Sequence, residues 1–144
     1  MAVEEHPYDN ERFKSLIENM SDMISVIDAD GIIRYLSPSV KMILGYETDG
    51  ALGRDFLEFL HPEDNARIAE DFARLTRGSA TLMRTEGRLQ HRGGSWRTLE
   101  FIVSRLTGDG ERIEFVVNAR DITDRKQVEL ELEEQLLLVP VQFN

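Results

Sequence analysis

The side chains best suited to metal or nucleophilic chemistry are three histidines, and the sequence contains no cysteine. His6, His61 and His91 lie far apart and have none of the short spacings that metal sites use. His61 directly precedes Pro62 at a predicted helix start, where we expect its side chain to cap the helix or to pack. Without cysteine, disulfides, thiolate catalysis and cysteine-ligated zinc or iron–sulfur clusters are excluded. We therefore predict no metal site.

Two pairs of adjacent carboxylates are the next candidates for chemistry. Glu63 and Asp64 fall in the first turn of a predicted helix, where the helix dipole favours negative charge. Glu70 and Asp71 fall further along the same helix, on a face that we expect to be solvated. Neither pair has a nearby nucleophile or orienting group, which general acid–base catalysis requires. We predict no catalytic residue, and a small α/β enzyme with an apolar pocket is the less favoured alternative.

A short polar junction follows the last predicted strand. Asp121, Ile122 and Thr123 lie where strand becomes helix, and Thr123 and Asp124 are of the residue types that cap helix N-termini. Such a junction can be repositioned when a sheet shifts, which gives a signal a mechanical route. We hypothesise that Asp121 pairs with a basic group of the domain and couples the sheet to the helix. An ordinary helix start is the alternative.

The charge and the apolar runs of the chain limit its partners. The net charge of −10 repels phosphate backbones, so we predict no nucleic-acid partner. The longest aliphatic run, residues 136–139, is far shorter than the roughly 20 residues of a membrane-spanning helix. The segment 1–5 is acidic, whereas a secretory signal begins with basic residues. We therefore expect no membrane span in this chain and a cytoplasmic location.

Hydrophobic periodicity divides the 144 residues, the size of one domain, into helices and strands. Helical spacing predicts helices over 8–20 and 62–78. Short helical turns are predicted between residues 37 and 60, and the first of these turns begins at Pro38 with Ser37 as its cap. Alternation and glycine-containing turns predict strands over 23–28, 32–36, 80–91, 96–106 and 112–120. A last helix is predicted over 121–139. These elements predict an α+β fold in which helices cover one face of a five-stranded antiparallel sheet.

The strand pattern also predicts which residues face the helices across the sheet. On the last strand, the face without acidic residues carries Phe115 and Val117. Extending this phase to the other strands gives a set of ligand-cavity candidates: Met23, Ser25, Ile27, Tyr35, Leu89, Leu99, Phe101, Phe115 and Val117. If these side chains point inward, the cavity is strongly apolar with few polar anchors. The alternative is that the same side chains simply fill the core.

Five short motifs resemble those of the PAS family, in the same order. The segment 28–39 (DADGIIRYLSPS) is similar to its first hairpin and following helix. The next two matches are Gly45-Tyr46 with Leu52-Gly53-Arg54, and the segment 61–64 (HPED) at the start of the long helix. The segment 93–96 (GGSW) resembles the turn before the fourth strand, and 121–126 (DITDRK) the motif that leads into an output helix. Each motif is short, and their common order across residues 11–135 makes the resemblance specific.

The resemblance implies a PAS-like five-stranded sheet with N- and C-terminal flanking helices and a small-molecule cavity. It implies a tail over 1–10, a PAS sensory domain over 11–121, an output helix over 122–139 and a second tail over 140–144. The implied function is sensing or signal relay, by binding a small molecule or by dimerising, with output through the C-terminal helix. It also implies a covalently linked output domain, such as a sensor histidine kinase or a diguanylate cyclase.

The resemblance bears on cofactors and partners as well. Light-sensing relatives attach flavin to a cysteine after a Gly-Arg pair, but here Asp55 follows Arg54, so a cysteinyl-flavin adduct is excluded. Haem-binding relatives carry the proximal histidine within the long helix, and residues 65–72 contain none. We expect neither haem nor flavin, and the cofactor is unknown. We expect a homodimer through the terminal helices or the sheet face, with an apolar seam formed by Val128, Leu132, Leu136 and Val139. A ligand-free dimerisation module is the alternative function.

Overall fold

The computed structural model describes residues 22–106 and 112–138. The first half contains strands β1 (Met23–Asp28) and β2 (Ile33–Leu36), helices α1 (Val40–Leu44) and α2 (Thr48–Ala51), a 3₁₀ helix (Phe56–Phe59) and helix α3 (Pro62–Thr76). The second half contains strands β3 (Leu82–Gln90), β4 (Trp96–Leu106) and β5 (Glu114–Asp121), followed by helix α4 (Thr123–Leu138). The predicted helix over 8–20 and Val139 of the predicted seam lie outside the described residues.

The five strands form one sheet in the order β2-β1-β5-β4-β3, and every neighbouring pair is antiparallel. Strand β1, from the start of the domain, pairs with β5, from its end, along their whole common length. The predicted α+β fold with a five-stranded antiparallel sheet is therefore confirmed. Because Met23 at the start of β1 pairs with Ala119 near the end of β5, these two ends lie side by side just before α4.

A β-bulge between β1 and β2 changes which residues of β2 face the helices. Val26 pairs with Tyr35, but the next residue, Ile27, pairs with Ile33, so Arg34 is an extra residue on β2. A bulge of this kind interrupts the two-residue alternation of side chains. Tyr35 therefore shares a face with Val26, on the side of the sheet opposite to Ile27.

Ser37 has a different role from the predicted helix cap. The N-cap of α1 is Ser39, and its side chain makes no capping hydrogen bond. The Ser37 hydroxyl is fully buried and accepts a hydrogen bond from the backbone N–H of Ile24 at 2.9 Å. Buried backbone N–H groups need such partners. Ser37 thus fixes the chain after β2 to the first strand of the sheet.

The helices cover one face of the sheet and enclose the main core. Helix α3 contributes Ile68, Phe72 and Leu75, which are all buried, as their i, i+4, i+7 spacing predicts. Phe72 contacts Phe115 of β5 edge-on, with ring centroids 5.2 Å apart, and Phe56 in the same way at 5.5 Å. This aromatic row joins the 3₁₀ helix, α3 and the sheet.

Helix α4 leaves most of its apolar residues exposed. Three residues of the predicted seam, Val128, Leu132 and Leu136, follow one another at four-residue intervals and are each more than half exposed. Leu130 and Leu137 are also exposed. Because each residue turns an α-helix by about 100°, these two leucines lie on the side of α4 opposite to Leu132. None of the helices in the described ranges has both the length and the apolarity that crossing a bilayer requires.

Candidate functional site

A cavity of about 70 Å³ lies between the sheet and the helices. The sheet and its margins contribute one part of the lining, namely Met23, Ser25, Ile27, Ile33, Leu36, Met83, Leu89, Phe101, Val103 and Val117. The helical region contributes the rest, namely Val40, Leu44, Tyr46, Ala51, Phe56, Phe59, Leu60, Ile68 and Phe72. All five strands and every helical element described between β2 and β3 therefore meet at this cavity.

The cavity brings together most of the strand residues singled out from the sequence. Six of the nine line it, namely Met23, Ser25, Ile27, Leu89, Phe101 and Val117. Leu99 and Phe115 are fully buried in the surrounding core without lining the cavity. Tyr35 does not line it, because the bulge places Tyr35 on the opposite face of the sheet with Val26.

The sequence-based selection missed the helical half of the lining. Ile68 and Phe72 of α3 are cavity residues, and the apolar stripe of that helix was a signal that could have located them. Phe56 and Phe59 come from a segment with weak periodicity, where no spacing rule identifies the inward side. The sheet alone thus gives an incomplete picture of the site.

The chemistry of the lining is almost entirely apolar. The polar side chains among the lining residues that the structure describes are Ser25 and Tyr46, and the Tyr46 hydroxyl donates to the backbone carbonyl of Gln90 at 2.7 Å. Within residues 22–106 and 112–138, no carboxylate, histidine, lysine or arginine lines the cavity. Because a charged ligand needs a countercharge when it leaves water, this lining selects uncharged molecules.

Haem and flavin do not fit this cavity. A cavity of about 150 Å³ accommodates one benzene ring, so 70 Å³ is too small for the fused rings of either cofactor. His61 caps α3, since its Nδ1 accepts a hydrogen bond from the backbone N–H of Glu63 at 3.1 Å. Its ring also packs on Trp96 with centroids 4.6 Å apart. Within the described ranges, no three His, Asp or Glu side chains lie close enough together to hold a metal ion.

An ion pair fixes the beginning of α3 to β3. Asp64 Oδ2 accepts hydrogen bonds from the backbone N–H and from Nε of Arg88, at 2.9 and 3.0 Å. Asp64 Oδ1 accepts from Arg88 Nη2 at 2.9 Å. The side-chain hydrogen bond from Arg88 is the main reason that the pKa of Asp64 falls from 3.8 to about 2. Asp64 thus holds one wall of the cavity to another, in addition to lying at a favourable helix end.

The junction between β5 and α4 is a connected set of hydrogen bonds. Asp121 Oδ2 accepts from Arg97 Nε at 2.8 Å, and Asp121 Oδ1 accepts from the backbone N–H and the hydroxyl of Thr123 at 2.8 and 2.6 Å. Thr123 Oγ1 also accepts from the backbone N–H of Thr98 at 2.8 Å. Ile122 is buried, and its N–H donates to the Thr98 carbonyl. Arg97 is therefore the basic partner hypothesised for Asp121.

The ionisation of Asp121 reflects this environment. Burial raises the pKa of Asp121, but the hydrogen bonds from Thr123 and Arg97 together lower it more, so the net pKa lies below the ordinary value of 3.8. The carboxylate therefore stays charged around neutral pH. In that form it accepts bonds from β4 and from the first turn of α4 at the same time.

Comparison with known proteins connects this architecture to one family. The sequence model of the PAS fold matches residues 17–127. The PAS domain of an HTR-like protein from Haloarcula marismortui is 34% identical and superposes with a TM-score of 0.64, covering 77% of this chain and 89% of that one. A PAS domain from Colwellia psychrerythraea gives a TM-score of 0.71 at 21% identity, covering 80% of this chain and 98% of that one.

A curated relative extends the comparison to signalling proteins. Two-component system protein A of Emericella nidulans is 26% identical over 132 residues, which is 87% of this chain. That alignment covers 18% of the relative, so the chain spans less than a fifth of the length of the curated relatives it matches. The family match includes all five strands and the cavity that they enclose with the helices. On these grounds the chain belongs to the PAS fold family.

Proposed function

We propose that this chain is a sensory PAS domain that binds a small molecule in its cavity and transmits the resulting change to an output domain through α4. One observation supports this proposal above the others. Val117 lines the cavity, and Asp121, four residues further along the same strand, accepts hydrogen bonds from the first turn of α4. A displacement of β5 at the cavity therefore has a direct path to the helix.

Strand β4 supplies a second, parallel path. Phe101 lines the cavity, and Arg97 lies four residues earlier on the same strand, where it bonds to Asp121. Strands β4 and β5 therefore each carry a residue of the cavity wall and one partner of the junction ion pair. A ligand that moves Phe101 relative to Val117 changes the relative position of Arg97 and Asp121. Switching by small shifts of packed elements is a common mechanism of signal transfer.

The proposed arrangement of the whole protein follows from the family and its relatives. We assign residues 11–121 to the sensory domain and 122–139 to the output helix. The similarity to two-component system protein A favours a linked output domain of a signalling enzyme, such as a histidine kinase or a cyclase. The exposed seam of α4 favours a homodimer through the terminal helices or the sheet face. A cytoplasmic location completes the proposal.

Native mass spectrometry of the purified protein tests ligand binding. The expected result is a retained small molecule in the wild-type protein that is reduced or absent in Ala51→Val, because this substitution adds two carbon atoms to a residue of the cavity wall. Ala66→Val is the matched control, since Ala66 is exposed on α3. Ligand binding in the cavity is contradicted if the wild-type protein retains no molecule and if no added small molecule binds differently to the wild type, Ala51→Val and Ala66→Val.

A ligand-free dimerisation module is the second candidate function. It is favoured by the five exposed aliphatic side chains of α4 and by the small size of the cavity. Under this alternative the protein dimerises through α4, and cavity-filling substitutions change neither the dimer nor the output. An enzyme is disfavoured, because the described part of the lining carries no carboxylate, histidine or lysine to transfer a proton.

A further inference from the structure

Ser25 occupies a central position in the wall of the cavity. It lies in the middle of β1, and its cross-strand neighbours are Leu36 on β2 and Val117 on β5. Both neighbours line the cavity together with Ser25. Only 8% of the Ser25 surface is exposed to solvent. The hydroxyl therefore sits in an apolar environment away from bulk water.

The Ser25 hydroxyl has no hydrogen-bond partner among residues 22–106 and 112–138 of the chain. Three other buried polar side chains differ from it in this respect. Ser37 Oγ accepts from Ile24 N–H, Thr85 Oγ1 accepts from Arg67 Nη1, and Asp64 accepts from Arg88. An unpaired buried hydroxyl is unfavourable and rare in folded proteins, so its presence in a cavity wall calls for a partner.

Water is a poor partner for this hydroxyl. A buried water molecule is held by two to four polar groups. Among the described residues of the lining, the only other polar side chain is Tyr46, and its hydroxyl already donates to the Gln90 carbonyl. A water molecule beside Ser25 would make one hydrogen bond and face apolar carbon elsewhere. A molecule that needs only one hydrogen bond and is otherwise apolar matches the wall better.

We propose that the cavity binds a small, uncharged, oxygen-bearing molecule, such as a short-chain alcohol or carbonyl compound, with its oxygen atom hydrogen-bonded to Ser25 Oγ. The inference rests on the proposed ligand-binding function and specifies the ligand class. The volume of about 70 Å³ is roughly half that of a cavity that holds benzene, which indicates a ligand of about three to five non-hydrogen atoms. The apolar walls contact the carbon chain, and Ser25 determines the position of the oxygen.

Two probes separate the hydroxyl from the cavity itself. Xenon is apolar and reports whether the cavity admits a ligand, and 1-propanol has one hydroxyl on a three-carbon chain. Both are titrated by NMR into the wild-type protein and Ser25→Ala, with Ser104→Ala as the matched control because Ser104 lies on β4 outside the cavity lining. We expect Ser25→Ala to weaken 1-propanol binding about fivefold, the loss of one neutral hydrogen bond, and to change the xenon Kd less than twofold. Ser104→Ala leaves both Kd values unchanged.

The outcomes distinguish this inference from the function on which it rests. If xenon binds and 1-propanol has the same Kd in the wild type and Ser25→Ala, the role of Ser25 is contradicted while the cavity remains a binding site. If Ser25→Ala weakens xenon as much as 1-propanol, the hydroxyl is not the cause and the inference again fails. If neither probe binds the wild-type protein, ligand binding in the cavity fails as well. Either Kd reports binding in the cavity only if the NMR resonances that shift belong to residues of the cavity lining.

Discussion

Arg97, near the start of β4, and Asp121, the last residue of β5, form a hydrogen bond of 2.8 Å at the point where helix α4 begins. Asp121 uses its other carboxylate oxygen to accept two bonds from Thr123. The carboxylate thus belongs to the sheet and to the helix start at once. Two residues that line the cavity lie four positions away on the same strands: Phe101 from Arg97 on β4, and Val117 from Asp121 on β5. In the proposed function, this junction is where a change at the cavity reaches α4.

Replacing Asp121 by alanine should destabilise the protein and loosen the first turn of α4. The substitution removes three hydrogen bonds and leaves the Arg97 guanidinium without this partner, so we expect the free energy of unfolding to fall by roughly 1–3 kcal/mol. Urea unfolding measures the change. Asp124→Ala is the control, because Asp124 is exposed in the same helical turn and should cost less than about 1 kcal/mol. An equal decrease in the free energy of unfolding in Asp121→Ala and Asp124→Ala would contradict the stabilising role of the Asp121 hydrogen bonds.

Acid should weaken the link between α3 and β3. The pKa of Asp64 is about 2 in the folded protein and 3.8 when unperturbed, so its stabilising contribution is complete well above pH 3.8 and is lost as the pH falls through the folded value. We expect this contribution to be roughly 1–2 kcal/mol. The measurement is urea unfolding of the wild type and Asp64→Asn from pH 7 to pH 3. The stability difference between them should shrink as the pH falls.

Glu63→Gln is the control for this pH dependence. Glu63 also reaches Arg88, at 3.2 Å, but its side chain is 76% exposed, whereas that of Asp64 is 11% exposed. Because exposed ion pairs are screened by water and salt, Glu63→Gln should change the stability by less than about 1 kcal/mol at any pH. If Glu63→Gln lowers the free energy of unfolding at pH 7 as much as Asp64→Asn does, the stabilisation does not depend on the burial of Asp64.

Gly87→Ala should destabilise the protein through steric overlap in the core. A Cβ atom at Gly87 would lie 2.6 Å from Ile68 Cδ1 and 3.1 Å from Phe101 Cε2. Because Ile68 is tightly buried, we expect a cost of roughly 1–3 kcal/mol in thermal or urea unfolding. In Gly50→Ala the added Cβ meets no atom within 4 Å, and Gly50 lies in α2, so this control should be neutral or slightly stabilising. A Gly87→Ala protein as stable as the wild type would contradict the close packing of α3 on β3.

Substitutions on the two sides of α4 should affect dimerisation differently. The double variant Leu132→Gln, Leu136→Gln removes two of the apolar side chains of the predicted seam, and we expect it to shift the protein from dimer to monomer in sedimentation velocity. The matched control is Leu130→Gln, Leu137→Gln, which removes equally apolar and exposed residues from the opposite side of the helix. A dimer that survives the first pair, or dissociates only with the second, would contradict a dimer through the seam.

The sequence was sufficient where local periodicity determines the structure. Strand β1 begins and ends at the predicted residues, and the stripe of Ile68, Phe72 and Leu75 is buried as its spacing indicates. Strict alternation failed at Tyr35, because the extra residue in β2 reverses the side on which it lies. A bulge depends on how two strands pair, and neither strand's own sequence contains that information.

Long-range side-chain pairing was the other feature beyond the reach of the sequence. Asp64 looked like a charge at a helix end, and only the folded arrangement brings Arg88, 24 residues away, within hydrogen-bond distance. The partner of Asp121 could be anticipated only as a basic group, and Arg97 was one of many arginines. Ser37 had the residue type and position of a helix cap, yet its hydroxyl accepts a hydrogen bond from the backbone N–H of Ile24 on β1 instead.

Amide hydrogen exchange in the first turn of α4 tests most directly whether a change in the cavity reaches this helix. The Thr123 N–H donates to Asp121 and the Lys126 N–H donates to the Ile122 carbonyl, so their exchange rates report on the junction. With xenon in the cavity, we predict altered exchange at these two amides in the wild type and no response at Lys126 in Asp121→Ala. Xenon-induced shifts of cavity methyl groups without any change in exchange at Thr123 and Lys126 would contradict the account.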